Sequence, residues 1–245
     1  MIIHLSDLHI GLSEEEAANV KRIFNWIRIN HPGAVVLITG DITDSAELDE
    51  LQEAATLIGQ LWETNRVLIV PGNHDYAWKG NVCREDGWEH WKKYLGDRYG
   101  GDSEYIDGLK ITIIGDCSYF SVDSGDPNDK EISARGYVSE ALAAMLKDQL
   151  RLREGLTRVV FLHHHPFTDG FFTRLHGSEI LMDAIIENCE LLLFGHEHHF
   201  GTWATQKNGP LIVASHKSTD EFGECLLVGF VDEQGCELRP VPIVA

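Results

Sequence analysis

Five short apolar runs in this chain stop at the same few residue types, and that repetition constrains the fold more than any other feature. Ile2 to Leu5 leads into Asp7-Leu8-His9, and Ala34 to Ile38 into Gly40-Asp41, with Asp44 three residues on. Val67 to Val70 leads into Gly72-Asn73-His74-Asp75, Arg158 to Leu162 into His163-His164-His165-Pro166, and Glu190 to Phe194 into Gly195-His196-Glu197-His198-His199. The runs have strand length and are rich in β-branched residues, as buried strands are. Helical patterns lie between them: Glu14 to Ile29, with Ser13 as N-cap and Glu16 completing a capping box, then Ala46 to Leu61, Ser139 to Leu152 and Glu179 to Glu187. Strand–helix–strand order implies right-handed crossovers and a largely parallel first sheet with helices on its face.

The rest is more mixed. Tyr76 to Gly101 is irregular and aromatic, with a short helix expected at Trp88 to Leu95. Asp107-Gly108 between two apolar runs is the strongest hairpin signal. Ser121 to Arg135 reads as a polar loop. The runs at Phe200 to Thr205, Leu211 to Ala214, Leu226 to Val231 and Glu237 to Val241 suggest an antiparallel portion. No linker or repeat divides the 245 residues, so one domain over 1–245 is expected.

The net charge of −19 argues against a protein that grips duplex nucleic acid through its phosphates, or one drawn to anionic lipid. No apolar run has the length to cross a bilayer, and the opening residues do not resemble a signal peptide. Five widely spaced cysteines, none in a C-x-x-C pair, indicate neither a disulfide framework nor a zinc knuckle and suit a reducing cytoplasm. The unusual number is 13 histidines.

In open α/β sheets ligands sit beyond the carboxyl ends of the strands, so these five ends can converge on one rim. Carboxylate, carboxamide and imidazole donors without thiolate suit manganese, iron or zinc. Three carboxylates with four or more imidazoles exceed the needs of one ion; two ions roughly 3.5–4 Å apart would use them all. In Asp7-x-His9 and His196-x-His198, alternation along extended backbone would turn both flanking side chains the same way.

Asp7-x-His9, Gly40-Asp41-x-x-Asp44, Gly72-Asn73-His74-Asp75, His164-x-Pro166 and Gly195-His196-x-His198 together resemble the motif set of the calcineurin-like metallophosphoesterases, in the family's order and over residues 7 to 198. The resemblance implies an α/β fold of four layers, two mixed β-sheets face to face and flanked by helices, with the metal site at strand C-terminal ends. It implies that Asp7, His9 and His198 hold a first metal, that Asp41 bridges, and that Asn73, His164 and His196 complete a second. His74 would face the phosphate and serve the leaving oxygen, with Asp44 or Asp75 orienting its ring. His163 or His165 would replace His164 if the strand register differs. The implied activity is dinuclear-metal-dependent hydrolysis of phosphate mono- or diesters by a metal-bridging hydroxide, on a small phosphate-ester or nucleotide substrate. Manganese, iron and zinc are the candidate ions, with manganese the first choice in vitro. The chain looks most like stand-alone bacterial members, including the cyclic-nucleotide phosphodiesterases.

Two other readings stay open: a DNA or RNA nuclease of the same superfamily, and a catalytically silent metal-binding scaffold. Singly, each motif residue reads as an ordinary turn or surface residue, and only the set changes that. His4, His31, His90, His176, His199 and His216 are expected to be loop or surface histidines. Trp78, Trp88 and Trp91 read as a satellite apolar cluster. The loops Tyr76 to Gly101, Ser118 to Arg135 and Phe167 to Ser178 would frame the pocket. Phe167, Phe171 and Phe172 would be available to a leaving group, and Lys79, Arg135 and Arg174 to phosphate oxygen.

Overall fold

The computed structural model describes residues 1–78, 82–83, 86–96, 103–106, 108–125, 134–168, 170–171, 173–204, 209–220, 224–231 and 235–243. The chain begins with β1 (Ile2–Leu5), α1 (Glu14–Asn30), β2 (Val35–Thr39), α2 (Leu48–Trp62) and β3 (Arg66–Val70). Next come the short pair β4 (Ala77–Trp78) and β5 (Val82–Cys83), then α3 (Gly87–Trp91), β6 (Ser103–Ile106), β7 (Leu109–Ile114) and β8 (Cys117–Val122). After these follow β9 (Gly136–Tyr137), α4 (Glu140–Arg151), β10 (Thr157–Phe161), β11 (Leu175–His176), α5 (Ser178–Ile185) and β12 (Leu191–Phe194). Four strands end the chain: β13 (Gly201–Ala204), β14 (Leu211–Ala214), β15 (Glu224–Val231) and β16 (Gly235–Pro242).

Two sheets carry the fold. The first has the order β16-β15-β1-β2-β3, with β1, β2 and β3 parallel and β15 and β16 antiparallel beside them. The second has the order β13-β14-β12-β10-β8-β7-β6 and is parallel from β14 to β8, with antiparallel edges. Strand alternation decides where each side chain goes. Ile2, Val35, Leu37, Leu68 and Val70 face the space between the sheets and meet Tyr119, Val159, Phe161, Leu191, Leu193 and Val213. Their neighbours Ile3, Leu5, Val36, Ile38, Val67 and Ile69 face outward onto α1 and α2, where Ile23, Ile27, Leu51, Ile58 and Leu61 wait. On the second sheet Phe120, Val160, Leu162, Leu192 and Phe194 face α4 and α5, against Leu142, Leu146, Leu150, Leu181 and Ile185. Each such side chain contributes about 1.5–3 kcal/mol on full burial. The result is the expected helix–sheet–sheet–helix sandwich.

The helix ends follow the sequence. Ser13 caps α1 by accepting from the Glu16 N–H, and Ser139 caps α4 by accepting from the Leu142 N–H. Trp91 is buried under α2 with Trp88 packed beside it, as an apolar satellite should be; the side chain of Trp78 lies outside the described residues, as do Lys79, Asp107 and Phe172.

Two expectations fail. Ser121 is not the start of a loop but lies inside β8, paired with Lys110 on one side and Phe161 on the other. A strand held between two partners has its backbone bonds satisfied whatever its side chains, so small hydroxyl residues are tolerated there. His4 is not at the surface. It is fully buried, on the inter-sheet side of β1, with Nε2 2.9 Å from Thr39 Oγ1. The other five histidines of that group are at least partly exposed. Among the described residues, no helix is long and apolar enough to cross a membrane.

Candidate metal centre

The carboxyl ends of β1, β2, β3, β10 and β12 meet on one rim, and backbone hydrogen bonds lock the loops beyond them together. Asp7 N–H donates to Gly40 O, His9 N–H to Asp41 O and Ile10 N–H to Ile42 O, at 2.9–3.0 Å. Gly195 N–H donates to His163 O at 3.1 Å across the other sheet. Asp75 fixes the β3 loop to the β2 loop: its Oδ2 accepts from Gly72 N–H at 2.8 Å, and its Oδ1 from Thr43 N–H and Oγ1 at 2.8 and 3.1 Å.

The side chains are aimed by an unusual backbone. Asp7, His9, Asp41, His196 and His198 all have positive φ, between 46° and 77°. Such conformations are uncommon outside glycine and cost of order 1–3 kcal/mol each, so the packing around them must hold them. Convergence in Asp7-x-His9 and His196-x-His198 therefore comes from left-handed turns, not from the extended alternation expected from spacing. Two glycines make room. Gly40 has φ +88°, and a Cβ there would lie 2.6 Å from His163 Nδ1 and 2.7 Å from Gly72 N. A Cβ on Gly72 would run into the Asp41 carboxylate.

The donors fall into three groups, of which His9, Asp44 and His74 form one that shares His9 with the next. Asp7, His9 and His198 form the outer one: His198 Nε2 lies 3.3 Å from Asp7 Oδ1 and 3.4 Å from His9 Nε2. Asp41, His163 and His196 form the inner one, with Asn73 beside them. His163 Nε2 lies 3.3 Å from Asp41 Oδ2, 3.1 Å from Asn73 Oδ1 and 3.0 Å from His196 Nδ1. His163 Nδ1–H donates to Thr39 O at 2.7 Å, which leaves Nε2 as the coordinating atom. Three lone-pair-bearing atoms thus surround a fourth. One proton can serve one of those pairs; a cation serves all four, and the mixed N and O set fits a transition metal.

Here the structure departs from the motif. His164 is buried but is not in this group; its Nδ1 lies 2.9 Å from Ser124 Oγ. Strand parity explains the choice. Val159 and Phe161 face the first sheet, and His163 follows them in parity, whereas Val160 and Leu162 face the helices; the His164 ring lies beside the inner group, 5.1 Å from the His163 ring and 4.9 Å from the His196 ring, with its Nδ1 turned to Ser124. Asp75 is also displaced from its expected place beside the His74 ring, because both its oxygens are taken by the backbone donors named above. Asp44 does meet that ring: His74 Nδ1–H donates to Asp44 O at 2.6 Å, with Asp44 Oδ1 3.7 Å from the same nitrogen. Asp44 Oδ1 also lies 3.6 Å from His9 Nδ1, a carboxylate–histidine pairing of the kind that orients metal ligands. His74 N–H donates to Asp41 Oδ1 at 2.9 Å.

The electrostatics match a cation site. Burial pushes the Asp41 carboxyl up, but the charges of His163 and His74 outweigh it and hold Asp41 well below the usual range. Asp7 is likewise held low, against burial, by its hydrogen bond from His198 and the charge of His163. Burial would lower His163, yet Asp41 raises it to about 9, so a proton takes the place that a cation would fill. Burial and the His163 charge depress His196 to about 4. Burial and the neighbouring Asp41 charge raise Asp75 to about 7.

The family model for calcineurin-like phosphoesterases matches residues 1–200, a span that contains every donor described above. The chain belongs to the calcineurin-like phosphoesterase family. It is 24% identical over 186 residues to a protein of Colwellia psychrerythraea named a probable cyclic nucleotide phosphodiesterase, an alignment covering 74% of this chain and 62% of that protein, less than two thirds of its length. It is 20% identical over 209 residues to a Coxiella burnetii protein of the same name, covering 81% and 75%. Among solved structures, a 5'-nucleotidase precursor from Thermus thermophilus superposes with a TM-score of 0.61 at 13% identity, over 98% of this chain and 54% of that one. That likeness speaks for the fold alone.

Proposed function

We propose that this phosphoesterase hydrolyses small phosphate esters of nucleotide size with two divalent or trivalent metal ions. Asp7, His9 and His198 would hold one ion and Asn73, His163 and His196 the other, with the Asp41 carboxylate available to the pair. The observation that supports this reading most directly is the pair of neighbouring donor groups, Asp7 with His9 and His198 and Asp41 with His163 and His196, both built from oxygen and imidazole donors. When bound, such a pair supplies Lewis-acid charge for the phosphoryl oxygens and an acidified water.

The chain's own residues then have separable tasks. Asp44 fixes His74 through its carbonyl and His9 through its carboxylate. His74 Nε2, free of that hydrogen bond, is the atom that donates to the departing ester oxygen. Asp75, tied to Gly72 and Thr43, keeps the two loops in register and touches no reactant. Thr39 O holds the His163 ring in the tautomer that presents Nε2. Cyclic nucleotides are the first substrates to test, since the two relatives carry that name. Free thiols at Cys117 and Cys189 suit a reducing, cytoplasmic setting.

The test is metal analysis joined to turnover. Protein reconstituted with Mn²⁺ is expected to carry two ions per chain and to hydrolyse bis-p-nitrophenyl phosphate. A single bound ion would remove the dinuclear reading. Two ions without turnover of any mono-, di- or cyclic ester would leave the scaffold reading in its place.

A further inference from the structure

The segment from Ser215 to Thr219 follows β14 and leads the chain from the second sheet back towards the first. It lies beyond residues 1–200, the span that the family model matches, and beyond the last motif residue, His198. Its hydrogen bonds go to the strand ends that carry donors. Ser215 N–H donates to Phe194 O at 2.8 Å, at the end of β12. Ser218 takes both backbone groups of Ser6: Ser6 N–H donates to Ser218 Oγ and Ser218 N–H to Ser6 O, each at 3.0 Å. Thr219 Oγ1–H donates to Leu8 O at 3.3 Å. Two consecutive residues thus hold the residue before Asp7 and the residue between Asp7 and His9.

The backbone from Ser6 to His9 turns alternately to two sides. The N–H groups of Asp7 and His9 face the β2 loop, at Gly40 O and Asp41 O, while Ser6 and Leu8 face Ser218 and Thr219. Asp7 and His9 have φ of 55° and 46°. A left-handed aspartate or histidine persists only where its surroundings over-determine it, and here the restraint comes from both sides. The restraining groups are themselves tied down. Ser6, Ser218 and Thr219 are buried, and so is Asn19, a polar residue on the otherwise apolar buried face of α1. Asn19 Nδ2–H donates to Thr219 O at 3.1 Å, which accounts for a buried amide at that position. Lys217 Nζ donates to Glu16 Oε1 at 2.8 Å, a second tie to α1. Among the described residues, the hydrogen bonds of Ser218 and Thr219 go to Ser6, Leu8 and Asn19, and none goes to the β3 and β10 loops that carry Asn73 and His163.

We propose that Ser218 and Thr219 are positioning residues for the outer ion, holding the turn from Asp7 to His9 in the conformation that aims both donors at it. Their effect passes through Asp7 and His9, so it falls on one ion and spares the other. This inference rests on the two-ion reading above.

Calorimetric titration of the metal-free protein with Mn²⁺ tests it, with two binding steps expected of the wild type. Ser218→Ala should weaken the looser step by about tenfold or more and leave the tighter one unchanged. Ser218→Thr, which keeps the hydroxyl, should recover most of that loss. Thr219→Val, which keeps the shape and removes the hydroxyl, should give a smaller loss at the same step. It carries the test if melting of the metal-free protein shows that Ser218→Ala does not fold. The absorption spectrum of Co²⁺ in the looser site should shift in Ser218→Ala, as a change in ligand geometry requires and a plain loss of stability does not. Weakening shared equally by both steps overturns the proposal, as do unchanged steps with an unchanged Co²⁺ spectrum, or a loss as large in Ser218→Thr as in Ser218→Ala. A wild-type protein that binds a single ion would instead bring down the two-ion reading, and this assignment with it.

Discussion

The two donor groups share one rim but not one environment. In the inner group Asp41, Asn73 and His163 are buried and His196 is nearly so, and His163 is anchored to Thr39 between the sheets. In the outer group Asp7 is buried but the His198 side chain is 43% exposed, on the loop that joins β12 to β13. The inner group is thus part of the core, fixed by the same alternation that builds the inter-sheet layer. The outer group is closed by a side chain that solvent can reach. The difference teaches that the two ions should differ in affinity and exchange: the inner one held tightly, the outer one labile.

Asp41→Ala gives the largest expected effect because that carboxylate belongs to the inner group and its charge also reaches the outer one. Its charge acts on His163 and His196 on one side and on His198 on the other. Both ions should be lost, and turnover should fall by roughly 10³-fold or more. Retention of two ions by metal analysis would show that the groups are independent and that no carboxylate is shared.

The comparison sharpens with one substitution on each side. His163→Ala should release the inner ion and lower turnover by roughly 10²- to 10³-fold, whereas His164→Ala should keep both ions, since it is His163 that groups with Asp41 and His196 while His164 Nδ1 is committed to Ser124. Loss of the inner ion from His164→Ala but not from His163→Ala would return the ligand to the motif position. His198→Ala is the milder change. It should weaken the outer ion by roughly 10- to 100-fold in a metal titration while the inner ion stays bound. Equal loss of both ions from that variant would erase the distinction between a buried and an open group.

Most of the sandwich was legible because buried strands and amphipathic helices announce themselves by period. The runs Val35 to Ile38 and Leu191 to Phe194 are apolar throughout, and Ser13 and Ser139 cap their helices as written. The rim was legible as a set of residue types but not as a geometry. Spacing cannot show that His9, Asp41 and His198 adopt left-handed backbone, because tertiary packing imposes it. It also cannot show that Asp75 spends its oxygens on Gly72 and Thr43, which belong to two different strand ends. The His163 assignment was available in principle: alternation from Val159 and Phe161 points His163, not His164, at the first sheet. His4 was misread for the same reason, since it follows Ile2 in parity and so faces the inter-sheet layer.

That buried histidine offers the smallest and most specific test, because its hydrogen bond leads through Thr39 to the inner group. His4 Nε2 bonds the Thr39 hydroxyl, and the Thr39 carbonyl receives His163 Nδ1–H. Burial depresses His4 to about 3 from its ordinary 6.5, with Asp7 opposing the shift only in part. The neutral ring is what the fold accepts, so its contribution to stability is complete above pH 6.5 and is lost as pH falls towards 3. His4→Leu should cost about 1 kcal/mol at neutral pH through the lost hydrogen bond. It should also flatten the fall in melting temperature between pH 6.5 and 4 relative to the wild-type protein. In a metal titration it should weaken the inner ion by about tenfold and leave the outer one unchanged, the behaviour of a residue that positions a ligand from behind. Parallel pH profiles for the two proteins, or equal weakening of both ions, would mean that His4 only fills space between the sheets and that the inner group draws its rigidity from the left-handed rim instead.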